Sequence, residues 1–253
     1  MSFLFCRCAP RVALFCTRRL HIQHAFVRAG IQVSCVNSSP NSMNSAIIVP
    51  TPQDIVMAQR SYGDANSAAY CSFLAGRCAL RHAIAAAHDL NIPHIPRNIY
   101  GVPLVPMQAS ISHKNEFAVG ATLIDVSPNT SLGIDIELKL RPYNTKHLAS
   151  FQSHILTSNE LLAVTHLRLL SPLAASLLIF SLKEAVYKAV FPHYQNYIGF
   201  REVEIQLNIE EEGRGSATVL FVSNVRRYFR GTFEVHWEEL FDDYWLSIVK
   251  YNE

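Results

Sequence analysis

Apolar and polar residues alternate over residues 132–138, and this alternation predicts a β-strand. The apolar side chains of that strand would lie on one face, and Asp135 and Glu137 would lie on the other. Residues two apart on a strand are separated by about 6.5 Å at Cα, so two such carboxylates can share one hard cation. An acidic pair on the exposed face of an edge strand gives the same pattern, so the alternation alone leaves both interpretations open.

A run of good helix formers begins at Ser171–Pro172 and predicts a helix that ends before Pro192. Phe180, Glu184 and Lys188 are four residues apart and would share one face of this helix. On an exposed face, the acidic and basic residues would form only a weak solvated pair. Facing the strand carboxylates, they would supply a third metal ligand and a cation for a phosphate.

The rest of the pattern alternates helices with antiparallel strands and predicts an α+β fold. A short strand over residues 46–49 precedes a helix over residues 68–90, for which Asn66 is the predicted cap. Arg77 and Arg81 share a face of this helix, as solubilising residues or as an anion clamp. A second group of predicted features comprises an extended loop at 91–109, a hairpin of strand 117–124 with the Asp135/Glu137 strand, and a meander at 203–209, 217–222, 232–237 and 244–250.

Charge and composition exclude several classes of function. The net charge is +2, and the chain has no cluster of Lys and Arg interleaved with aromatic residues, so we expect no nucleic-acid partner. No apolar run reaches the roughly 18 residues that a membrane span requires, and we expect a cytoplasmic protein. The six cysteines lack metal-site spacing and are interpreted as free thiols.

Residues 1–42 carry arginines but no acidic residue, and the first acidic residue is Asp54. This composition is typical of a transit peptide, and it also results when a gene is translated upstream of its true start. We favour the second interpretation, with the true start at Met43 and residues 37–42 as a disordered linker. A chain that starts at Met43 is therefore expected to fold and to keep its activity.

Four ordered motifs resemble the 4′-phosphopantetheinyl transferase superfamily, in particular the group around enterobactin synthetase component D and the surfactin-type enzymes. The two stronger motifs are Gly133–Glu137 and Phe180–Ala189. The other two are Ser110–Ala121, which contains a Ser-x-Ser-His segment, and Phe73–Arg77. The resemblance covers about residues 47–251. Phe180, where surfactin-type relatives often have Trp, favours the enterobactin-type group.

The resemblance implies two similar subdomains, at 43–140 and 141–253, with antiparallel sheets packed on helices and coenzyme A in the crevice between them. It implies that Mg²⁺ is held by Asp135, Glu137 and Glu184, and that Glu184 and Lys188 are catalytic. Whether Glu184 or a metal-bound water acts as the base is left open. The residues expected to bind coenzyme A are Arg77, Arg81, Ser112, His113, Lys183 and Lys188.

Two positions remain open in this comparison. Thr157 and Glu160 have the spacing of a helix capping box, whereas the family places an acidic residue near the metal at the second of these positions. Relatives often carry a basic residue in the loop that reads Gly101-Val102-Pro103 here. Either a phosphate contact is missing, or Arg97 or Lys114 replaces it.

The implied reaction transfers 4′-phosphopantetheine from coenzyme A to a serine of an apo acyl or peptidyl carrier protein and releases adenosine 3′,5′-bisphosphate. It would serve siderophore, non-ribosomal peptide, polyketide or fatty-acid synthesis, and we expect a monomer. Two alternatives remain open: a magnesium-dependent nucleotide hydrolase, and a non-catalytic homologue that binds coenzyme A or the carrier.

Overall fold

The computed structural model describes residues 12–13, 30–37, 47–48, 50–65, 67–125, 127–141, 145–222 and 225–253. The chain divides into two compact units, Met1–Asp125 and Val126–Glu253. Within the described residues, each unit combines helices with one five-stranded antiparallel sheet. The predicted α+β class is therefore confirmed.

The first unit contains two helices and five strands in its described part. Its sheet has the order β3-β1-β2-β5-β4. The helices are α1 (Pro52–Tyr62) and α2 (Ala68–His88), and the strands are β1 (Val12–Ala13), β2 (Ile31–Asn37), β3 (Ile47–Ile48), β4 (Ala109–Lys114) and β5 (Phe117–Leu123).

Helix α2 packs closely on β4 and β5 because two glycines leave room for it. A Cβ atom on Gly120 would lie 2.3 Å from the backbone nitrogen of Leu80, and one on Gly76 would lie 2.7 Å from Ile111. The helix starts after Ser67, whose side chain accepts a hydrogen bond from the backbone N–H of Tyr70. The predicted cap Asn66 lies outside the described residues, and the observed cap is its neighbour.

Strand β2 differs from the sequence interpretation of residues 1–42 as an extraneous leader. It pairs with β5 from Ile31↔Leu123 to Asn37↔Phe117. Val36 is fully buried in a cluster with α2 and β5. Composition alone could not reveal this strand, because a half-buried strand and a basic leader can share an acid-free sequence. The rest of that leader and linker, apart from Val12–Ala13 and Gly30, lies outside the described residues.

The second unit contains three helices and a second sheet in its described part, together with short 3-10 turns. The sheet order is β6-β10-β9-β8-β7. The helices are α3 (Thr145–Ile155), α4 (Ser158–His166) and α5 (Pro172–Tyr194), and the strands are β6 (Thr130–Leu138), β7 (Val203–Glu211), β8 (Arg214–Phe221), β9 (Thr232–Leu240) and β10 (Tyr244–Asn252). The predicted meander is confirmed as β7 to β10.

The core of the second unit lies between α5 and one face of this sheet. Trp237 and Trp245 are buried there with their rings at 90°. The indole N–H of Trp245 donates to the Ala174 carbonyl of α5 at 3.0 Å, which satisfies a polar group that burial would otherwise leave unpaired. This packing fixes α5 across the sheet.

Two predicted features of the second unit are wrong. Strand β6 does not form a hairpin with β5, because it pairs along all nine of its residues with β10. Helix α5 also continues through Pro192 to Tyr194. A proline in the last turn costs one internal hydrogen bond, and Gln195 still closes the helix by donating to the Phe191 carbonyl.

The pairing of β6 with β10 places the Asp135/Glu137 strand in the second unit. The sequence interpretation assigned this strand to the first subdomain and the α5 acid to the second. In the structure, Asp135, Glu137, Glu184 and Lys188 all belong to one unit.

None of the described helices is both long and apolar enough to cross a membrane.

Candidate active site

The candidate active site forms where α5 crosses β6. Gly133 allows the close approach, since a Cβ atom there would lie 1.9 Å from the Ala185 carbonyl oxygen. The Ser131 hydroxyl donates to the Ala189 carbonyl at 2.5 Å. The odd-numbered residues of β6 therefore face the helix, and Asp135 and Glu137 follow on the same side.

Asp135 lies beside Lys188 of α5. The Lys188 ammonium donates to Asp135 Oδ1 at 2.8 Å and to the Ile134 carbonyl at 2.9 Å. Asp135 is only 6% exposed. The sequence also allowed an acidic pair on the exposed face of an edge strand. Asp135 is instead a buried acid whose charge is compensated by a cation.

Glu137 is also buried, and it interacts with Arg141. The Arg141 Nε donates to Glu137 Oε1 at 3.3 Å, and Nη2 contacts Oε2. The backbone N–H of Leu138 donates to Oε1 at 2.6 Å. Sequence reasoning missed Arg141; its position four residues after Glu137 is the only available signal, and it is a weak one.

Glu184 of α5 completes the acidic group. Burial raises the pKa of Glu184, and the charges of Asp135 and Glu137 raise it further, whereas Lys188 lowers it. The three carboxylates predicted from sequence therefore lie close enough to influence one another. No described residue forms an ion pair or hydrogen bond with Glu184, so its carboxylate is available to a ligand.

These acids are chemically suited to magnesium, which prefers hard oxygen ligands and tolerates neighbouring negative charges. As the side chains stand, the described part of the chain holds no group of three or more His, Cys, Asp or Glu side chains arranged to bind a metal ion. Asp135 and Glu137 contact Lys188 and Arg141 instead. A cation shared by the three acids therefore requires a change of partners.

Lys183 does not join this group. Its ammonium is buried and donates to Glu160 Oε2 at 2.6 Å and to the carbonyls of Ile155 and Phe200 at 2.8 Å each. All three ammonium hydrogens are thus used inside the protein, and none remains for a phosphate. Lys183 is thus committed to Glu160 and two carbonyls, and its binding of coenzyme A stays a prediction from sequence.

Glu160 has a structural role. One carboxylate oxygen accepts from the Thr157 backbone N–H at 2.7 Å and from Lys183, and the other accepts from the Ile205 N–H at 2.7 Å. The Thr157 side chain accepts from the Glu160 N–H, which completes the capping box. Of the two open alternatives, the structure supports capping, with a buried ion pair that joins α4, α5 and β7.

A cavity of about 110 Å³ lies next to Glu184. Tyr187, Tyr197, Ile198 and Phe200 contribute to its wall, which is largely apolar. Tyr197 is 74% exposed, so the opening of the cavity is accessible to solvent. Sequence reasoning did not find this cavity, because its residues come from α5 and from the loop after it and share no periodicity.

In the first unit, Arg77 is a buried cation. Its guanidinium lies 3.5 Å from the centre of the Phe73 ring, and Arg97 lies 5.3 Å from the same ring. Arg77 Nε is buried without a hydrogen-bond partner among the described residues. Burial is the main cause that lowers the pKa of Arg77, to about 10; Asp54 raises it and Arg97 lowers it. The cost of burying this cation therefore outweighs the favourable charge of Asp54.

The other predicted residues of the first unit have different surroundings. Arg81 forms an ion pair with the fully buried Asp54, which also contacts His94, so it serves the packing of α1 on α2. Arg81 is thus engaged with an acid, and the anion clamp of Arg77 with Arg81 stays a prediction. Ser112 is buried on β4, and His113 is exposed on the same strand.

A comparison with known protein families found a match over the part of the chain that forms this site. Residues 131–249 match the family model described as the 4′-phosphopantetheinyl transferase superfamily. The match covers just under half of the chain and lies within the second unit, including β6 and α5. The resemblance is confirmed for this segment at the superfamily level and indicates a transferase of the phosphopantetheinyl type. No curated protein matched the chain.

Proposed function

We propose that the chain transfers the 4′-phosphopantetheine group of coenzyme A to a serine of an apo acyl or peptidyl carrier protein, with Mg²⁺ as cofactor. The observation that carries this proposal is the convergence of Asp135, Glu137, Glu184 and Lys188 inside the segment that matches the superfamily. Three acids and one lysine are the groups that phosphoryl transfer requires, and one of these acids, Glu184, lines a solvent-accessible cavity.

Asp135, Glu137 and Glu184 would hold the cation. When bound, Mg²⁺ would offset the charge that develops on the pyrophosphate of coenzyme A. Lys188 donates two of its three ammonium hydrogens to Asp135 and to the Ile134 carbonyl, and the third can reach a phosphate oxygen. The Ile134 carbonyl would keep the ammonium beside the site when Asp135 exchanges its contact with Lys188 for the cation.

Glu184 is the proposed base. The serine oxygen forms a bond to the phosphorus of the phosphopantetheine, the bond to adenosine 3′,5′-bisphosphate breaks, and the serine proton moves to the Glu184 carboxylate. A raised pKa makes this carboxylate a stronger proton acceptor than an ordinary glutamate. The apolar wall beside it suits the uncharged pantetheine arm.

In the first unit, Arg77 and His113 are proposed to contact phosphate groups of coenzyme A. The support for Arg77 is its charge and its buried Nε without a hydrogen-bond partner. Ser112 remains a proposed contact on sequence grounds alone. Arg81 and Lys183 are left out because each is committed to a buried acid.

Release of adenosine 3′,5′-bisphosphate tests the proposal against simple hydrolysis. With coenzyme A and Mg²⁺ present, release should require an apo carrier, and a carrier with its acceptor serine changed to alanine should give none. Release at the same rate without carrier would show a hydrolase instead. The Asp135→Asn variant is the matched control for the proposed metal site, because it keeps the shape of the side chain and removes its charge.

A further inference from the structure

Arg141 holds the Glu137 carboxylate from two sides. The guanidinium offers Nε to one oxygen and Nη2 to the other, and the Leu138 N–H takes up a further lone pair of Oε1. The Glu137 side chain is 4% exposed, so water cannot replace these donors. Arg141 is itself 23% exposed and lies 5.9 Å from the centre of the Phe180 ring.

This arrangement conflicts with direct metal ligation by Glu137. A carboxylate offers about four lone-pair positions, and at least three are already occupied here. A cation bound to either carboxylate oxygen would face the guanidinium across the same carboxylate, which is electrostatically unfavourable. For Glu137 to bind a metal ion with its carboxylate, the Arg141 guanidinium must move away.

We propose that Arg141 is a latch on Glu137: Arg141 and a divalent cation compete for the same carboxylate, so Arg141 moves away from Glu137 when the cation binds. The inference rests on the metal site of the proposed function. The closed pair keeps a buried carboxylate neutralised, which would otherwise be costly, and lowers the affinity for the cation by competing for the same oxygens. Arg141 is thus a positioning residue that acts through Glu137 and sets the metal affinity.

If Arg141 competes with the cation for Glu137, three variants should differ in their affinity for the metal. Arg141→Gln removes the competing cation, whereas Arg141→Lys keeps the charge but loses the two-pronged contact. Lys139→Gln is the matched control, since Lys139 is a nearby cation that pairs with Glu239 and not with Glu137. A latch predicts that Arg141→Gln tightens metal binding most, Arg141→Lys less, and Lys139→Gln hardly at all.

The test is a titration of the folded full-length chain with Mn²⁺, with free Mn²⁺ measured by electron paramagnetic resonance. Arg141→Gln should lower the Kd on the order of tenfold, and this effect should vanish in a Glu137→Gln background. An unchanged or higher Kd, the same tightening in Lys139→Gln, or the same tightening without Glu137 would overturn the latch. If Arg141→Gln does not fold, Arg141→Lys decides by the same criterion. Carrier modification is measured separately, so a failed transfer assay does not affect this readout.

Discussion

Arg77 is buried, and its charge is only partly compensated by neighbouring groups. Its substitution can therefore show whether it binds substrate or only packs. Arg77→Ala should raise the KM for coenzyme A strongly, because the guanidinium would no longer meet a phosphate. With 3′-dephospho-coenzyme A the same variant should resemble the wild type, if the contact is to the 3′-phosphate. Steady-state kinetics on both substrates check this. Equal losses on both would show that Arg77 only packs on Phe73.

Glu184 gives a prediction about pH. A carboxylate accepts a proton only when it is ionised, so the rate should fall as the pH drops through the pKa of Glu184. Burial and the neighbouring acids raise that pKa, so the fall should begin at a higher pH than for an ordinary glutamate. Glu184→Gln should cut turnover by about 10²- to 10⁴-fold and flatten this limb of the pH–rate profile.

Excess metal separates the two roles of Glu184. If it is only a ligand, high Mg²⁺ or Mn²⁺ should partly restore Glu184→Gln; if it is the base, the metal should restore nothing. A variant that keeps wild-type turnover and the wild-type pH profile would exclude both roles.

At the scale of elements, Lys183 and Glu160 join α4, α5 and β7 through one buried ion pair. Lys183→Met leaves Glu160 charged and unpaired, and should lower the free energy of unfolding by about 3 kcal/mol. The KM of the folded enzyme for coenzyme A should stay unchanged, because the ammonium does not reach a ligand. Thermal unfolding and kinetics check the two statements. Glu160→Gln with Lys183→Met should recover part of the stability, and a raised KM would restore the ligand role.

The elements show how far the sequence could be interpreted. Ser171 caps α5 and Thr157 with Glu160 caps α4, as predicted, because capping depends on residues within one turn. Pairing of β6 with β10 joins residues more than a hundred positions apart, and periodicity does not encode partners. For the same reason, the alternation indicated the face of Asp135 but not the presence of Arg141 beside Glu137.

The site shows the same division between local and distant information. Glu184 and Lys188 were predictable because helical spacing fixes their shared face. The inward direction of Lys183, one residue earlier, follows from packing against Ile155 and Phe200, which lie far along the chain. Burial of both strand acids likewise depends on the approach of α5 at Gly133.

At the scale of the whole molecule, β2 makes the N-terminal part of the chain structurally important. A chain starting at Met43 lacks the strand between β1 and β5 and exposes the surface that Val36 covers. It should be less soluble or unfold at a lower temperature than a chain starting at Gly30, which keeps β2. Circular dichroism melting of both chains tests this. Equal melting temperatures would support the earlier expectation that residues before Met43 are dispensable.

The central claim concerns what the second unit does to a carrier protein. The most direct test is the intact mass of a purified apo carrier after incubation with the full-length chain, coenzyme A and Mg²⁺. The account predicts a gain equal to one phosphopantetheine group on the acceptor serine, and none with Asp135→Asn or without Mg²⁺. A gain that is the same with Asp135→Asn would contradict the proposed site, and no gain on any of a panel of acyl and peptidyl carriers would contradict the transferase itself.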